Sequence, residues 1–271
     1  MPLLNFFNKD EKDTTGGYLA GTAALAALPA SEYAAGALTE SAMDYTGQEL
    51  ASINPVSYRN ANLLKSKILK DPTLAKELPI LTGSSESALS HINPKSQYIP
   101  EVDLKTIQEA IKKNPKTVLR GIGGDDLPMS EFIKRVRNTG GYVNLNDKAT
   151  LIELAHELGH ARVLSPNSSR ATTLGLHRLV QDIGRYNPMG RVLAAGAASA
   201  ATAMQDDPTS PMIYAPAAVL AATQIPVLRE EYIASSKGYN ALKELESSGA
   251  LKKGISDIAR NRYAKALGTY G

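Results

Sequence analysis

The pattern of apolar and polar positions predicts a buried helix in the middle of the chain. Residues 148–164 contain no proline, and their apolar side chains recur at helical spacing over a broad face. Asn146 or Asp147 is the predicted N-cap, and Pro166 follows the predicted end. A broad apolar face of this kind is typical of a helix that is packed inside a protein.

Other segments predict many helices and few strands. Alternating apolar and polar residues over 142–146 predict a strand directly before the buried helix, and 97–99 and 117–119 have extended character. Further helices are predicted over 58–69, 103–114, 130–138, 168–186, 229–245 and 250–267. The chain is therefore predicted to be mainly α (α+β), with a small β element before the buried helix.

Two Ala-rich regions carry no charge. One is 14–31, and the other is the pair 192–205 and 208–228, which Asp206-Asp207 separate. The second region predicts an Ala-rich helical hairpin over 189–228, with basic residues at its base and acidic residues at its tip. Two interpretations stay open, namely contact of both regions with a membrane and close packing of small residues within the protein. The first arm is too short for a full span, and four prolines weaken the second arm as a regular helix.

The domain organisation is predicted from these regions. Residues 1–84 form an Ala-rich helical region without an assigned role, and residues 85–271 form one domain into which the hairpin is inserted. The first residues lack the basic region and the cleavage site of a signal peptide, so we expect no cleaved signal. The sequence does not choose between a cytoplasmic and a membrane-associated protein.

The composition of the chain limits the fold class, the partners and the metal ligands that can be expected. Apolar residues make up 43% of the chain and aromatic residues only 6%, without tryptophan, which favours closely packed helices over a β-sandwich. A net charge of +3 is too small to indicate a nucleic acid as the main partner, and no specific nucleic acid is expected. The chain contains no cysteine, so any bound metal must be held by histidine and carboxylate side chains.

The buried helix carries the sequence His156-Glu157-Leu158-Gly159-His160, an instance of H-E-x-x-H. Histidines four residues apart leave one face of a helix, so two imidazole nitrogens can bind one Zn²⁺. Glu157 lies at the edge of that face and is the predicted general base, which takes a proton from a metal-activated water. The structural alternative is a buried helix whose histidines bond to backbone carbonyl groups.

A catalytic zinc site needs a third protein ligand beside the two histidines. The downstream candidates are Glu230, Glu231, His177 and Asp182. Adjacent glutamates on a helix point about 100° apart, so only one of Glu230 and Glu231 is expected to face the histidines. Glu231 shares its face with Ser235 and Gly238, whose small size would let the motif helix approach closely. Glu230 is expected to face solvent or a loop, beside Lys237.

The motif HELGHA, followed after the hydrophobic hairpin by REEYIAS over 229–235, resembles the gluzincin metallopeptidases. It looks closest to the HtpX/CAAX-protease group and to the YugP-like neutral zinc metallopeptidases. The resemblance covers about 142–245 and implies a zincin-like helical metallopeptidase domain. It also implies zinc ligation by His156, His160 and Glu231, because the family takes its third ligand from a Glu-x-x-Ala-Asp or Glu-x-x-Ala-Ser pattern. Ser235 stands where HtpX-like members carry an Asp that contacts a zinc histidine, and serine orients a histidine less strongly.

The expected activity is zinc-dependent hydrolysis of peptide bonds in a peptide or protein substrate, with Glu157 as the base. His177, Ser235 and Tyr239 are candidates for stabilising the oxyanion or for contacting the metal ligands. The position of the strand at 142–146 would permit it to pair with an extended substrate, as edge strands do in many zinc peptidases. The alternative is a non-catalytic structural or membrane-active helical protein, in which a zinc site is vestigial or stabilises the fold.

Overall fold

A computed structural model of the chain describes residues 53, 56–82, 96–100, 109, 126–145, 149–164 and 215–268. The helices and strands in these residues are α1 (Tyr58–Ile68), α2 (Pro72–Glu77), β1 (Ile80–Thr82), β2 (Gln97–Pro100), α3 (Met129–Thr139), β3 (Gly141–Leu145), α4 (Leu151–Leu164), α5 (Ala215–Ser247) and α6 (Ile255–Gly268). The described part of the chain is therefore mostly helical with one small sheet. The predicted mainly α (α+β) class is confirmed at this level, including the strand before the motif helix.

A reciprocal pair of hydrogen bonds begins the motif helix α4. The Thr150 N–H donates to Glu153 Oε2 at 2.6 Å, and the Glu153 N–H donates to Thr150 Oγ1 at 3.3 Å. This is a capping box, in which two side chains satisfy backbone groups that the first turn leaves unpaired. The predicted caps Asn146 and Asp147 were wrong, because Thr-x-x-Glu starts the helix at Leu151.

The motif helix lies at the centre of the main hydrophobic core. Eleven of its 14 residues are buried, as its broad apolar face predicted. Helices α1, α5 and α6 pack around it, through fully buried side chains that include Leu64, Leu242 and Ile255. Residues 58–82 thus share a core with the motif helix, while the domain boundary predicted after residue 84 stays a prediction.

The sheet has the strand order β1-β3-β2. Strand β1 runs parallel to β3 with Ile80 opposite Val143, and β2 runs antiparallel to β3 with Tyr98 opposite Val143. All five residues of β3 are buried, because one face of the sheet packs on the main core and the other on α3, where Phe132 meets Tyr142 edge to face. The strand predicted at 142–146 is therefore present but does not have the edge position that pairing with a substrate requires, since β3 is paired on both sides.

Local signals set the ends of the shorter helices. The Ser57 side chain accepts the Asn60 N–H at the start of α1, and the Asp71 side chain accepts two backbone N–H groups at the start of α2. Gly140, with a φ of 72°, ends α3 and turns the chain directly into β3. Helix α2 and strand β1 were not predicted, because six and three residues are too short to show a period.

Helix α5 runs without interruption from Ala215 to Ser247. The separate helix predicted from residue 229 is the later part of this helix, so the predicted boundary there was wrong. Pro216 lies in the first turn, where backbone N–H groups have no helical partner, and Pro226 removes one hydrogen bond from the interior. The sequence predicted that prolines weaken the second arm of the hairpin as a regular helix. Over 215–228 the helix nevertheless continues through both prolines.

The chain divides into two compact units. One comprises 1–42, 176–228 and 268–271, and its described part is the beginning of α5 with residue 268. The other comprises 43–175 and 229–267 and holds the sheet, the motif helix and the main core. None of the described helices combines the length and the hydropathy that a membrane crossing requires.

Several predictions concern residues outside the described part of the chain. They are the uncharged segment 14–31, the strand at 117–119 and the helix at 168–186 with His177 and Asp182. The helix at 103–114, apart from residue 109, and the hairpin up to residue 214, with its first arm and its acidic tip, also lie there.

Candidate metal centre

The structure brings the side chains of His156, His160 and Glu231 together between α4 and α5. The two Nε2 atoms are 3.0 Å apart, and Glu231 Oε2 lies 3.2 Å from Nε2 of His156 and 3.4 Å from Nε2 of His160. A tetrahedral Zn²⁺ with bonds of about 2.0–2.1 Å holds its ligand atoms roughly 3.3–3.4 Å apart. The three atoms therefore form a triangle of nearly the size that one face of a zinc tetrahedron requires.

Glycines allow α4 and α5 to approach this closely. A Cβ atom on Gly159 would lie 2.7 Å from the Ala234 Cα, and one on Gly238 would lie 3.0 Å from the Ala155 carbonyl group. Because the two contacts occur in opposite chain order, the helices run antiparallel where they meet. The prediction that Gly238 lets the motif helix approach is confirmed, and this close contact lets Glu231 reach both imidazoles.

Each of the two histidine rings has a hydrogen-bond partner at its Nδ1 atom. Glu230 Oε1 lies 2.9 Å from Nδ1 of His160, and Ser235 Oγ lies 3.2 Å from Nδ1 of His156. An imidazole that donates its Nδ1 proton keeps a lone pair on Nε2, which is the atom that can bind a metal. The two partners thus orient both Nε2 atoms toward Glu231.

Glu230 is the site residue that sequence reasoning placed wrongly. It was expected to face solvent or a loop, but only 1% of its surface is exposed and its carboxylate contacts His160. The assumption that only one glutamate can face the histidines fails because each ring has two nitrogen atoms. Glu231 reaches the Nε2 atoms from one side, while Glu230 reaches Nδ1 of His160 from another.

The buried charges around the site favour a cation at its centre. Burial alone would lower the pKa of the His160 imidazole, but the Glu231 and Glu230 carboxylates outweigh it and hold this pKa well above its ordinary value. Burial alone would raise the pKa of Glu231, but His160 and His156 hold it well below the ordinary value. Two imidazole nitrogens and a carboxylate oxygen, without thiolate, form a donor set that suits Zn²⁺.

Glu157, the predicted base, lies beside the sheet. Its Oε2 accepts the backbone N–H of Tyr98 on β2 at 2.6 Å, and 8% of its surface is exposed. Within the described residues, this N–H is the hydrogen-bond partner of the carboxylate. Glu157 is therefore the sequence neighbour of His156 but does not belong to the triangle of His156, His160 and Glu231.

Two tyrosines near the site make contacts that the sequence did not predict. The Tyr263 ring lies 5.4 Å from the His156 ring, and its hydroxyl donates to the Ile152 carbonyl oxygen at 2.6 Å. The only signal for this contact was an apolar stripe on the last helix. Tyr239 lies two turns beyond Glu231, with the Lys243 ammonium 5.8 Å from its ring centroid.

Comparisons of the chain with protein-family models, with curated proteins and with solved structures found no match. The chemistry of the site follows from its own side chains.

Proposed function

We propose that this chain is a zinc-dependent endopeptidase, with His156, His160 and Glu231 as metal ligands and Glu157 as general base. The observation that carries the proposal is the triangle of two Nε2 atoms and one carboxylate oxygen, with sides of 3.0–3.4 Å. Structural zinc sites are usually closed by four protein ligands, whereas catalytic sites have three and keep one position for water or substrate. The described residues supply three.

The protein groups around the triangle have separate tasks in this proposal. When bound, Zn²⁺ would lower the pKa of a coordinated water and polarise the carbonyl group of the scissile bond. Glu157 takes a proton from the attacking water and delivers it to the leaving amine. Glu230 and Ser235 hold the two imidazoles with Nε2 directed inward. The oxyanion donor stays a prediction, with His177 and Tyr239 as its candidates.

The zincin-like architecture belongs to the same proposal. It is supported by the order of a small sheet, a motif helix whose glutamate contacts the edge strand β2, and a later helix that carries the third ligand. The Ser235 contact with His156 Nδ1 supports the alignment of this position with the Asp of HtpX-like members. A serine there holds the imidazole without adding negative charge.

Membrane contact is a separate part of the proposal. The uncharged segment 14–31 and the hairpin at 189–228, with basic residues at its base, motivate contact with a lipid surface. Flotation of the full chain with liposomes tests this part. Protein that floats with the vesicles would support it, and protein that stays fully in the soluble fraction would favour a packed hairpin.

The alternative is a zinc site that only stabilises the fold. Removal of zinc by a chelator and its restoration, followed in parallel by thermal unfolding and by hydrolysis of an internally quenched peptide library, separates the two functions. An endopeptidase loses hydrolysis with the metal and regains it when zinc is restored. A stabilising site would change the melting temperature alone, and the zinc-loaded protein would cleave no peptide.

A further inference from the structure

The backbone N–H of Tyr98 points outward from β2, on the side opposite β3. The Val143 N–H donates to the Pro79 carbonyl oxygen at 3.0 Å, on the side of β1. Tyr98 and Val143 face each other across β2 and β3, so they form a non-hydrogen-bonded pair of the antiparallel ladder. The Tyr98 N–H is therefore directed to the outer edge of β2, where it donates to Glu157 Oε2 at 2.6 Å.

The rest of this outer edge has no further N–H to offer over residues 97–100. Residues alternate along a strand, so Pro100 is the next one whose backbone faces outward, and proline has no N–H. An added peptide strand would find the outward N–H of Tyr98 occupied by Glu157. Over these residues, the outward N–H of the sheet is thus donated to the glutamate.

We propose that the Tyr98 N–H is a positioning group for the general base. It holds Oε2 of Glu157 and leaves Oε1 to accept the proton of the attacking water. The inference rests on the proposed endopeptidase function. A glutamate side chain rotates about three bonds, and a charge-assisted hydrogen bond to a fixed donor restricts that rotation.

The donor itself is on a rigid element. The Tyr98 side chain is 2% exposed and lies in the main core, and β2 is paired with β3 along its length. Groups that orient a catalytic side chain are most effective when packing holds them in place. Tyr98 is thus suited to fix one oxygen of the carboxylate, while α4 fixes its backbone.

A backbone ester at residue 98 tests the inference. Incorporation of the α-hydroxy acid analogue of tyrosine replaces the N–H by an oxygen atom and keeps the side chain. The matched control is the same replacement at Tyr142, which the register pairs with Ile99, so the control loses a sheet hydrogen bond and leaves Glu157 untouched. Both variants are zinc-loaded and assayed with one internally quenched peptide that the wild type cleaves.

The expected result is a kcat about 10- to 100-fold lower for the ester at 98 than for the ester at 142, because the base is misplaced. KM and zinc affinity are expected to agree within about twofold between the two esters, because neither ester touches the metal ligands. Equal kcat values in the two esters would overturn the inference alone. A zinc-loaded wild type that cleaves no peptide would overturn the proposed function, and the inference with it.

A second measurement needs neither zinc nor turnover. In protein labelled with ¹⁵N-tyrosine there are 12 tyrosines to observe, and the Tyr98 amide signal is the one missing in Tyr98→Phe. Glu157→Gln is expected to move this amide proton upfield, because a neutral amide oxygen is a weaker acceptor than a carboxylate. The Tyr142 signal, assigned in the same way, should stay in place. An unmoved Tyr98 signal would overturn the inference.

Discussion

Gly159 lies so close to Ala234 that a Cβ atom on the glycine would be 2.7 Å from the Ala234 Cα and closer still to its carbonyl oxygen. Both are backbone atoms of α5, so the helix itself would have to move. Gly159 directly precedes His160, and Ala234 lies one turn beyond Glu231, which are two of the three proposed ligands. The separation of the two helices at this contact therefore sets the distance between the imidazoles and the Glu231 carboxylate.

Gly159→Ala is expected to weaken both the fold and the metal site. Forcing a methyl group into packed backbone costs about 1–3 kcal/mol or more, which exceeds the gain of about 1 kcal/mol from better helix propensity. Urea unfolding of the zinc-free protein measures the stability, and titration with a competing chelator measures zinc affinity.

Gly238→Ala is the control for that prediction, because its added methyl group would clash less severely. Its Cβ atom would meet the Tyr263 hydroxyl at 2.9 Å and the Ala155 carbonyl group at 3.0 Å, so less movement is required. The loss should therefore be smaller than in Gly159→Ala. A Gly159→Ala protein that is as stable as the wild type and binds zinc equally well would contradict the close contact.

Substitution of the two adjacent glutamates distinguishes a metal ligand from a ring partner. Glu231→Gln is expected to lose zinc, because it removes a carboxylate ligand. Glu230→Gln is expected to keep zinc with an affinity lower by about 10- to 100-fold, because it weakens the partner of His160 Nδ1. Zinc stoichiometry and chelator competition measure both effects. Loss of metal in the Glu230 variant, with retention in the Glu231 variant, would reverse the two assignments.

Ser235→Ala should weaken zinc binding less than Glu230→Ala. Ser235 is a neutral partner at 3.2 Å from His156 Nδ1, whereas Glu230 is a buried carboxylate at 2.9 Å from His160 Nδ1. A charged acceptor orients an imidazole more strongly than a hydroxyl group. Affinity measured for both alanine variants under the same conditions decides the order. A larger loss in Ser235→Ala would show that the hydroxyl, rather than the carboxylate, is the main support.

Zinc binding should release a proton near neutral pH. Burial opposes a proton on His160, but Glu231 and Glu230 outweigh it and raise its pKa well above the ordinary value, so the zinc-free site carries this proton. Zinc needs the neutral imidazole, so apparent affinity should rise with pH, by up to about tenfold per unit, until the raised pKa is passed. Calorimetry in two buffers of different ionisation enthalpy counts the proton. Binding without proton release would contradict the raised pKa.

The same proton also bears on the stability of the zinc-free fold. A raised folded-state pKa stabilises the fold at pH values below the ordinary histidine pKa, and this contribution is lost as pH rises through the raised value. Zinc-free protein is therefore expected to lose the His160 contribution on the alkaline side of neutrality. Urea unfolding at several pH values measures it, with His160→Ala as the comparison that lacks it.

Local patterns were enough to predict the centre of the fold. Helical periodicity over 148–164 indicated the buried helix, and the spacing of His156 and His160 indicated their common face. The alternating strand before them was also found from neighbouring residues alone. These features depend on contacts within one or two turns, which a single sequence records directly.

Contacts between distant segments could not be predicted in this way. The Tyr98 contact with Glu157 joins residues 59 positions apart, and Tyr263 meets Ile152 across 111 positions. The contact of Glu230 with His160 depends on how closely α4 and α5 approach. No local pattern contains that distance. The small size of Gly238 predicted a close approach, and Gly159 shows only in retrospect where the helices meet.

The central claim is that Glu157 acts as a base on a zinc site built by other residues, and Glu157→Gln tests it most directly. Glutamine keeps the shape of the side chain and can accept the Tyr98 N–H, but it cannot take a proton from water. The measurement is zinc content together with kcat on one internally quenched peptide, for wild type and variant, with His160→Ala as the metal-free control. We expect the variant to keep its zinc and to lose roughly 10²- to 10⁴-fold in kcat. Full zinc content with unchanged kcat would contradict the role of Glu157 as the base.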